Sequence, residues 1–153
     1  MKQGKYSLDF SLRSDPGTYA LILKSETYAS MQVGRLGELE LRPGYYIYIG
    51  SAFGSGGVKA RVERHWQVGK RKHWHIDYLR EHVTPIKAWI SYEADHLEHL
   101  WAQTLYDTSE FSPIQGFGCS DCKCFSHLFH TSTNPDFDSF AHAGGSRVQA
   151  WES

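Results

Sequence analysis

The segment Tyr45–Gly50, with the sequence YYIYIG, decides the fold because it is the strongest strand signal in the chain. Every side chain before Gly50 is aromatic or β-branched, and these residue types favour β-strands. Pro43-Gly44 precedes the segment and the glycine-rich stretch Ser51–Gly57 follows it, so turn-forming residues bound it on both sides. We therefore predict a strand that ends in a loop.

The residues before this strand predict a second strand and a hairpin. Thr18–Lys24 (TYALILK) is short and rich in strand-forming residues, and the breaker pair Pro16-Gly17 precedes it. Met31–Leu41 alternates around two glycines, which predicts a hairpin with its turn near Arg35–Gly37.

The residues after the glycine-rich stretch predict helices around one returning strand. Val58–Gln67 has apolar residues at steps of four. Arg61 and His65 are also four apart, so their side chains should share one helix face. The further predicted elements are a short helix in His73–Glu81, a strand at Ile86–Tyr92, a helix from Leu97 to Leu105 capped by Asp95, and a strand-and-loop segment at Gly116–His130.

The length and order of elements predict one small domain. The chain has 153 residues, of which 41% are apolar, enough for a single core. We expect an N-terminal arm at 1–15, a domain at 16–130, and a flexible tail at 131–153, where Ser, Thr, Asn, Asp and Gly dominate. The expected fold class is α/β (α+β), with a small central antiparallel sheet of about three strands, flanking helices and an added hairpin.

The charge is unevenly distributed along the chain. The net charge of −1 argues against a protein that coats DNA indiscriminately. However, a local basic stretch contains Lys59, Arg61, Arg64, Lys70, Arg71 and Lys72, with His65, His73 and His75 in it or beside it. This stretch is either a phosphate-binding face or a solvated helix face.

The N-terminal residues predict neither a signal peptide nor a membrane span. Charged residues such as Lys2, Lys5 and Asp9 interrupt any apolar run there. The three cysteines are an odd and closely spaced set, which does not suggest a secreted disulfide scaffold. A cytoplasmic protein without membrane contact is therefore expected.

The cysteine-rich segment carries two open interpretations. Its thiol and imidazole groups, which are ligands that zinc accepts, belong to Cys119, Cys122, Cys124, His127 and His130. His73 or His75 could complete a zinc site across space. Alternatively, the thiols are buried in the last strand and His127 is hydrogen-bonded within the fold.

Several motifs together resemble a known family. Gly17-Thr18-Tyr19 and Tyr48-Ile49-Gly50 resemble the paired motifs of the GIY-YIG nuclease superfamily. Three longer strings are similar to a small GIY-YIG-like subfamily of unknown function (Uri-type), whose members are single domains or are fused to endonuclease III-type repair enzymes. The strings are GSAFGSGGVKARVERHW, HWHIDYL and GFGCSDCKCFSHLF, and the resemblance covers Gly17–Phe129.

The resemblance implies a divalent-metal-dependent DNA endonuclease, and DNA repair is the expected use of this activity. It implies that Arg61 is the catalytic arginine, that His65 shares the role of base or phosphate contact, and that Glu98 anchors one Mg²⁺ or Mn²⁺ ion. It gives Tyr19 and Tyr48 the role of general bases, and a tyrosine hydroxyl near a cation and an arginine should have a depressed pKa. Hydrolysis of a phosphodiester needs such a base, a charge clamp and help for the leaving oxygen.

The nucleic-acid contacts expected with this activity come from the basic stretch. The expected contacts are Lys59, Arg64, Lys70, Arg71, Lys72, His73 and His75. DNA is the expected partner, RNA is not excluded, and a monomer is favoured.

One departure from the superfamily supports two rival functions. Members usually carry a late Asn that supports the site, whereas Asn134 of this chain lies too far along the sequence. Gln115, Ser120 or Asp121 could substitute for it. The rivals are a nucleic-acid-binding module without catalysis and a zinc-stabilised interaction domain.

Overall fold

The two strands that the sequence predicts most clearly lie at the centre of a sheet. In the computed structural model, β1 (Gly17–Ser25) and β4 (Gly44–Ala52) are antiparallel, with Tyr19 opposite Gly50. β5 (Thr84–Ser91) pairs with the other side of β1. The structure describes residues 12–67, 69, 71–72, 74–118, 125–144 and 147–152.

The remaining elements surround this centre. They are β2 (Ala29–Val33), a 3₁₀ turn (Gly34–Leu36), β3 (Gly37–Leu41), α1 (Gly57–Trp66), α2 (His75–Leu79), α3 (Glu98–Tyr106), β6 (Ser112–Pro113), β7 (Leu128–Thr131), α4 (Phe137–Gly144) and β8 (Gln149–Trp151). Among the described residues, no helix has both the length and the apolar character that crossing a membrane requires.

The sheet is larger than the sequence predicts. It has six antiparallel strands in the order β6-β7-β4-β1-β5-β8, and β2 and β3 form a separate two-stranded sheet. The prediction of a small sheet of about three strands is therefore wrong. The added strands β6, β7 and β8 are only two to four residues long. Such short strands depend on pairing with a neighbour more than on their own residue preferences.

Both faces of the central strands are buried. Tyr19, Leu21 and Leu23 enter one apolar cluster, which α1, α2 and the β2–β3 hairpin cover. Ala20 and Ile22 enter a second cluster on the opposite face, against α3 and α4. Alternate residues of a strand point to opposite faces, so a strand covered on both sides reads as one continuous apolar run.

The predicted hairpin is confirmed. β2 and β3 are antiparallel, with Met31 opposite Leu39, and the turn between them is at Gly34–Leu36. Gly34 has a φ of +46°, a conformation that glycine adopts without steric cost. The alternating apolar residues, including Met31 and Leu39, are buried against the sheet.

Much of the segment with a tail-like composition is part of the fold. β8 pairs with β5, with Ala88 opposite Trp151. Phe140 of α4 is buried, and its ring centre lies 4.8 Å from that of Trp89 and 5.1 Å from that of Trp101. The flexible tail expected here is thus not what the described residues form. Their polar composition hides the few aromatic anchors that hold them in place.

The described end of the expected N-terminal arm covers the start of α1. The carbonyl of Asp15 accepts a hydrogen bond from the Val58 amide at 3.0 Å, and the carbonyl of Arg13 accepts one from Lys59 at 2.9 Å. Helix N-termini carry amides without partners inside the helix, and here chain carbonyls take two of them. Residues 1–11 of the arm lie outside the described residues.

Candidate active site

Tyr19, Tyr48 and His65 form a buried cluster between β1, β4 and α1. The Tyr19 hydroxyl lies 2.8 Å from Nε2 of His65. The ring centres of the three residues are 5.5–6.5 Å apart. Both predicted catalytic tyrosines and the predicted catalytic histidine therefore lie in one cluster.

Gly50 makes room for this cluster. It pairs with Tyr19 across the β1–β4 ladder, and a Cβ added at Gly50 would collide with the hydroxyl and ring of Tyr19. The glycine of the YIG motif thus has a steric reason in this fold, because the tyrosine ring passes directly over its backbone.

The protonation of the two tyrosines differs from the expectation. Burial raises the pKa of Tyr19 well above its usual value, and the charge of Arg61 opposes this rise without cancelling it. Burial also raises the pKa of Tyr48, with smaller contributions in the same direction from Tyr19 and Glu98. The expected depression of the tyrosine pKa values is not found, because loss of hydration outweighs the nearby cation. Both hydroxyls are protonated at neutral pH.

Arg61 approaches the cluster from α1. Its Nη1 donates a hydrogen bond to the carbonyl of Ser51 at 2.8 Å, and its guanidinium lies over the Trp74 ring at 4.9 Å. Its charge lowers the pKa of both tyrosines, although less than burial raises it. The side chain is half-buried, so its planar donor group is held beside the tyrosines while part of it faces solvent.

Glu98 begins α3 and reaches the same end of the sheet. The preceding amide, that of Leu97, donates to Oγ1 of Thr18 in β1 at 3.3 Å. Burial acts to raise the pKa of Glu98, but hydrogen bonds and positive charge from His127, with help from Ser51, outweigh it and hold the pKa below its usual value. Glu98 is therefore ionised at neutral pH, and its side chain is 23% exposed.

His127 is the partner of Glu98. Its Nδ1 lies 3.0 Å from Oε2 of Glu98, and its side chain is almost completely buried. Its backbone is fixed from both sides, since its carbonyl accepts from Ile49 and its amide donates to the carbonyl of Phe117, each at 2.9 Å. This placement agrees with the interpretation in which His127 is hydrogen-bonded within the fold.

The other proposed zinc ligands do not assemble around His127 in the described part of the chain. Nε2 of His130 donates to the carbonyl of Pro43 at 2.8 Å. Cys119, Cys122 and Cys124 lie outside the described residues, as does His73. Among the residues that the structure describes, no three metal-ligating side chains form a group.

The basic stretch is partly neutralised by acidic neighbours. Arg64 makes two hydrogen bonds to the buried carboxylate of Asp77, at 2.7 and 3.0 Å. Lys72 lies 2.7 Å from Glu81. Lys59 and Arg71 are exposed, and Lys70 lies outside the described residues. Lys59 and Arg71 are therefore better placed to meet phosphate than Arg64.

His75 has an internal contact. Its Nδ1 accepts a hydrogen bond from the amide of Gly118 at 2.9 Å, and burial lowers its pKa. The ring is thus neutral and links α2 to the turn beside Tyr48, since a Cβ at Gly118 would lie 3.4 Å from the Tyr48 ring. This is a bracing contact and supplies no positive charge to a phosphate.

The sequence motifs do not identify every residue that contributes to the site. Ser51 contacts both Arg61 and Glu98, and its position directly after the YIG motif is the signal that could have identified it. The buried carboxylate of Asp77 pairs with Arg64. Asn134 accepts a hydrogen bond from Lys87 at 3.1 Å, and Gln115 is exposed. Ser120 and Asp121 lie outside the described residues.

The fold and site define an α+β protein whose antiparallel sheet gathers tyrosine, histidine, arginine and glutamate side chains at one end. The sequence profile of the family described as "Domain of unknown function DUF123" matches residues 18–149, and the chain belongs to this family. Searches of curated proteins and of solved structures found no match.

Proposed function

We propose that the protein is a divalent-metal-dependent endonuclease of the GIY-YIG superfamily that hydrolyses phosphodiester bonds in DNA. The observation that carries the proposal is the 2.8 Å contact between the Tyr19 hydroxyl and Nε2 of His65, within the electrostatic reach of Arg61 and Glu98. The proposal also includes a cytoplasmic location, a monomeric state and a use of the protein in DNA repair. The resemblance to domains fused with repair enzymes makes damaged DNA the first substrate to test.

The tyrosine–histidine pair supplies a route for the proton of the attacking water. A neutral Tyr19 donates its hydroxyl proton to Nε2 of His65 when that nitrogen is unprotonated. As this proton moves to His65, the Tyr19 oxygen takes a proton from water, and hydroxide character develops on the water. The raised pKa of Tyr19 suits such a relay, because the tyrosine never has to persist as a free anion.

Arg61 suits the developing negative charge on the phosphate. Its guanidinium is permanently charged, planar and partly exposed next to the buried tyrosines. The hydrogen bond to Ser51 fixes one of its donors, which leaves other donors of the fork to contact phosphate oxygens. Because the group is already oriented, little reorganisation is needed as charge accumulates.

Glu98 fits a single hard cation. It is ionised, partly exposed and fixed at the start of α3, and Mg²⁺ or Mn²⁺ prefers carboxylate oxygen while keeping several waters. A bound ion would supply a Lewis acid for the phosphate oxygens. His127 holds one carboxylate oxygen of Glu98 and so restricts the direction in which the carboxylate can face.

The test is plasmid nicking with Mg²⁺ or Mn²⁺, comparing the parent with Glu98→Gln. We expect cleavage by the parent and none by the variant, because the neutral amide is a poor anchor for a hard cation. Glu63→Gln is the matched control, since Glu63 is an exposed acid of α1. Equal cleavage by the parent and Glu98→Gln would remove Glu98 from the mechanism. No cleavage of plasmid or damaged DNA by the parent would contradict the proposal.

A second candidate is a nucleic-acid-binding module without catalysis. The observation that favours it is the 3.0 Å contact between Nδ1 of His127 and Oε2 of Glu98, which engages one of the two carboxylate oxygens that a metal would use. The same experiment separates the two functions. Retarded migration of DNA with the parent, but no nicking with either metal, would support the binding module.

A further inference from the structure

Phe53 and His96 form an aromatic stack near the surface. Their ring centres are 3.8 Å apart and the ring planes differ by only 12°. His96 is exposed and Phe53 is half-exposed, and neither belongs to the two apolar clusters of the core. The stack therefore does little to fill the interior and offers an open aromatic surface.

The stack is held next to the groups of the proposed nuclease site. Phe53 follows Ala52, which pairs with Gly17 at the end of β4. It precedes Gly54, where an added Cβ would lie 3.8 Å from Nη2 of Arg61. The ring of Phe53 thus leaves the chain one position before the backbone that lies against the guanidinium of Arg61, which reaches it from α1.

The histidine side of the stack is anchored equally closely. His96 precedes Leu97, whose amide is hydrogen-bonded to Thr18, and stands two positions before Glu98. Both rings are therefore attached to backbone that is tied to the central strands. A group lying on them would be adjacent to a phosphate held between Arg61 and Glu98.

We propose that the Phe53–His96 stack is a nucleotide subsite that receives an unpaired base next to the scissile phosphate. The base lies on the outer, exposed face of His96 and extends the stack. The proposal rests on the nuclease function and names its substrate class, which is DNA with an unpaired base at the cleavage position, such as a flap or a gap. A fully paired duplex keeps its bases inside the helix and cannot use this surface.

Stacking has properties that distinguish it from phosphate binding. Every base has an aromatic face, so a stacking surface tolerates any sequence. It releases no counterions, whereas each phosphate contact with Lys or Arg steepens the dependence of affinity on salt. Loss of the stack should therefore weaken binding at every salt concentration without changing the slope.

The experiment measures binding of labelled flap, gapped and fully paired DNA by fluorescence anisotropy over a range of salt, with Glu98→Gln in every protein to prevent cleavage. We expect Phe53→Ala and His96→Ala to bind flap and gapped DNA about tenfold more weakly, within the range for one base–aromatic stack. Binding to the paired duplex and the salt slope should be unchanged. Phe53→Trp should retain affinity, since it keeps an aromatic face.

The control is Tyr28→Ala, which removes an aromatic ring that is 76% exposed and lies beyond the opposite end of β1. The stacking proposal would be overturned if Phe53→Ala and His96→Ala both left the affinity for flap DNA unchanged. It would also be overturned if these variants lost affinity for paired duplex to the same extent. Either result would leave the nuclease proposal intact. If the protein with Glu98→Gln and no other change binds none of the three DNAs, both proposals fail. If Phe53→Ala does not fold, the stacking proposal is tested with His96→Ala, at an exposed residue, and with Phe53→Trp.

Discussion

The hydroxyl of Tyr48 is a single group whose environment changes its chemistry. It is buried beside Tyr19 and His65, and its pKa is raised. From the sequence, a tyrosine near a cation predicts a lowered pKa, but the extent of burial is a property of the packed structure. The identities of the clustered residues could be predicted from the motifs, whereas their protonation could not.

Tyr48→Phe should fold normally and lose at least roughly a hundredfold in cleavage rate, the usual scale of acid–base assistance. The ring remains, so packing is kept while the hydroxyl is lost. Single-turnover cleavage rates are the measurement. Tyr46→Phe is the control, because Tyr46 is a buried tyrosine of the same strand whose hydroxyl contacts the amide of Arg42 and not His65. A parent-like rate for Tyr48→Phe would reduce this residue to a packing role.

Alkaline pH should destabilise the protein through the same buried tyrosines. Above a pH of about 10 the unfolded chain loses its tyrosine protons, while Tyr19 and Tyr48 in the folded state keep theirs. The unfolded state then binds fewer protons, so the free energy of unfolding falls as pH rises, by about 1.4 kcal/mol per pH unit for each such tyrosine.

Urea unfolding between about pH 10 and pH 12 measures this slope. Tyr19→Phe and Tyr48→Phe should each make the fall shallower, because each removes one proton difference between the states. The exposed Tyr28→Phe should leave the slope as in the parent. Identical slopes for all four proteins would show that the buried hydroxyls ionise as easily as those of the unfolded chain.

At the scale of elements, α1 shows what a sequence pattern can and cannot supply. The steps of four that predict this helix also place Arg61 and His65 on the side that meets β1 and β4, as the structure has them. The pattern does not reveal how the helix is fixed at its end. Arg80, which comes after α2, donates to the carbonyls of His65 and Trp66 at 2.7 and 3.0 Å. Such a contact between distant residues leaves no local signal.

Arg80→Ala should lower the free energy of unfolding by about 2–3 kcal/mol, since it removes a charged donor from the carbonyls at the end of α1 and from Val83. Arg80→Lys should restore this only in part, because an ammonium cannot reproduce the planar fork. Urea unfolding at neutral pH is the measurement. Arg35→Ala, at an exposed arginine of the hairpin turn, is the control, and an equal effect of both substitutions would exclude a special role for Arg80.

At the scale of the whole molecule, composition is a poor guide to where the fold stops. The hairpin and the central strands can be predicted from their strand-forming residues and turn glycines. Residues 131–152 are polar on average, yet the described part of this segment adds α4 and β8 to the fold. The deciding information lies in a few aromatic side chains, such as Phe140 and Trp151, and in the strand edge that β5 offers. The sequence contains these aromatic residues, but it does not show that they pack into the fold or that β8 pairs with the edge of β5.

Phe140→Ala should destabilise the protein by about 3–5 kcal/mol, the usual cost of removing a buried aromatic ring and leaving a cavity. The cavity would lie between Trp89 and Trp101 on the α3 face of the sheet. Phe125→Ala is the matched control, because Phe125 is 44% exposed. Calorimetric or urea unfolding provides the measurement. An effect of Phe140→Ala no greater than that of Phe125→Ala would mean that α4 contributes nothing to the core.

The position of β1 has a consequence for the synthesis of the protein. β1 is the first described strand to be made, yet it lies between β4 and β5, which are translated later. Its apolar residues Tyr19–Leu23 are destined for two opposite faces and have no cover when they leave the ribosome. The nascent chain therefore exposes an apolar segment until β5 has emerged. This segment is where we expect a chaperone to bind during translation.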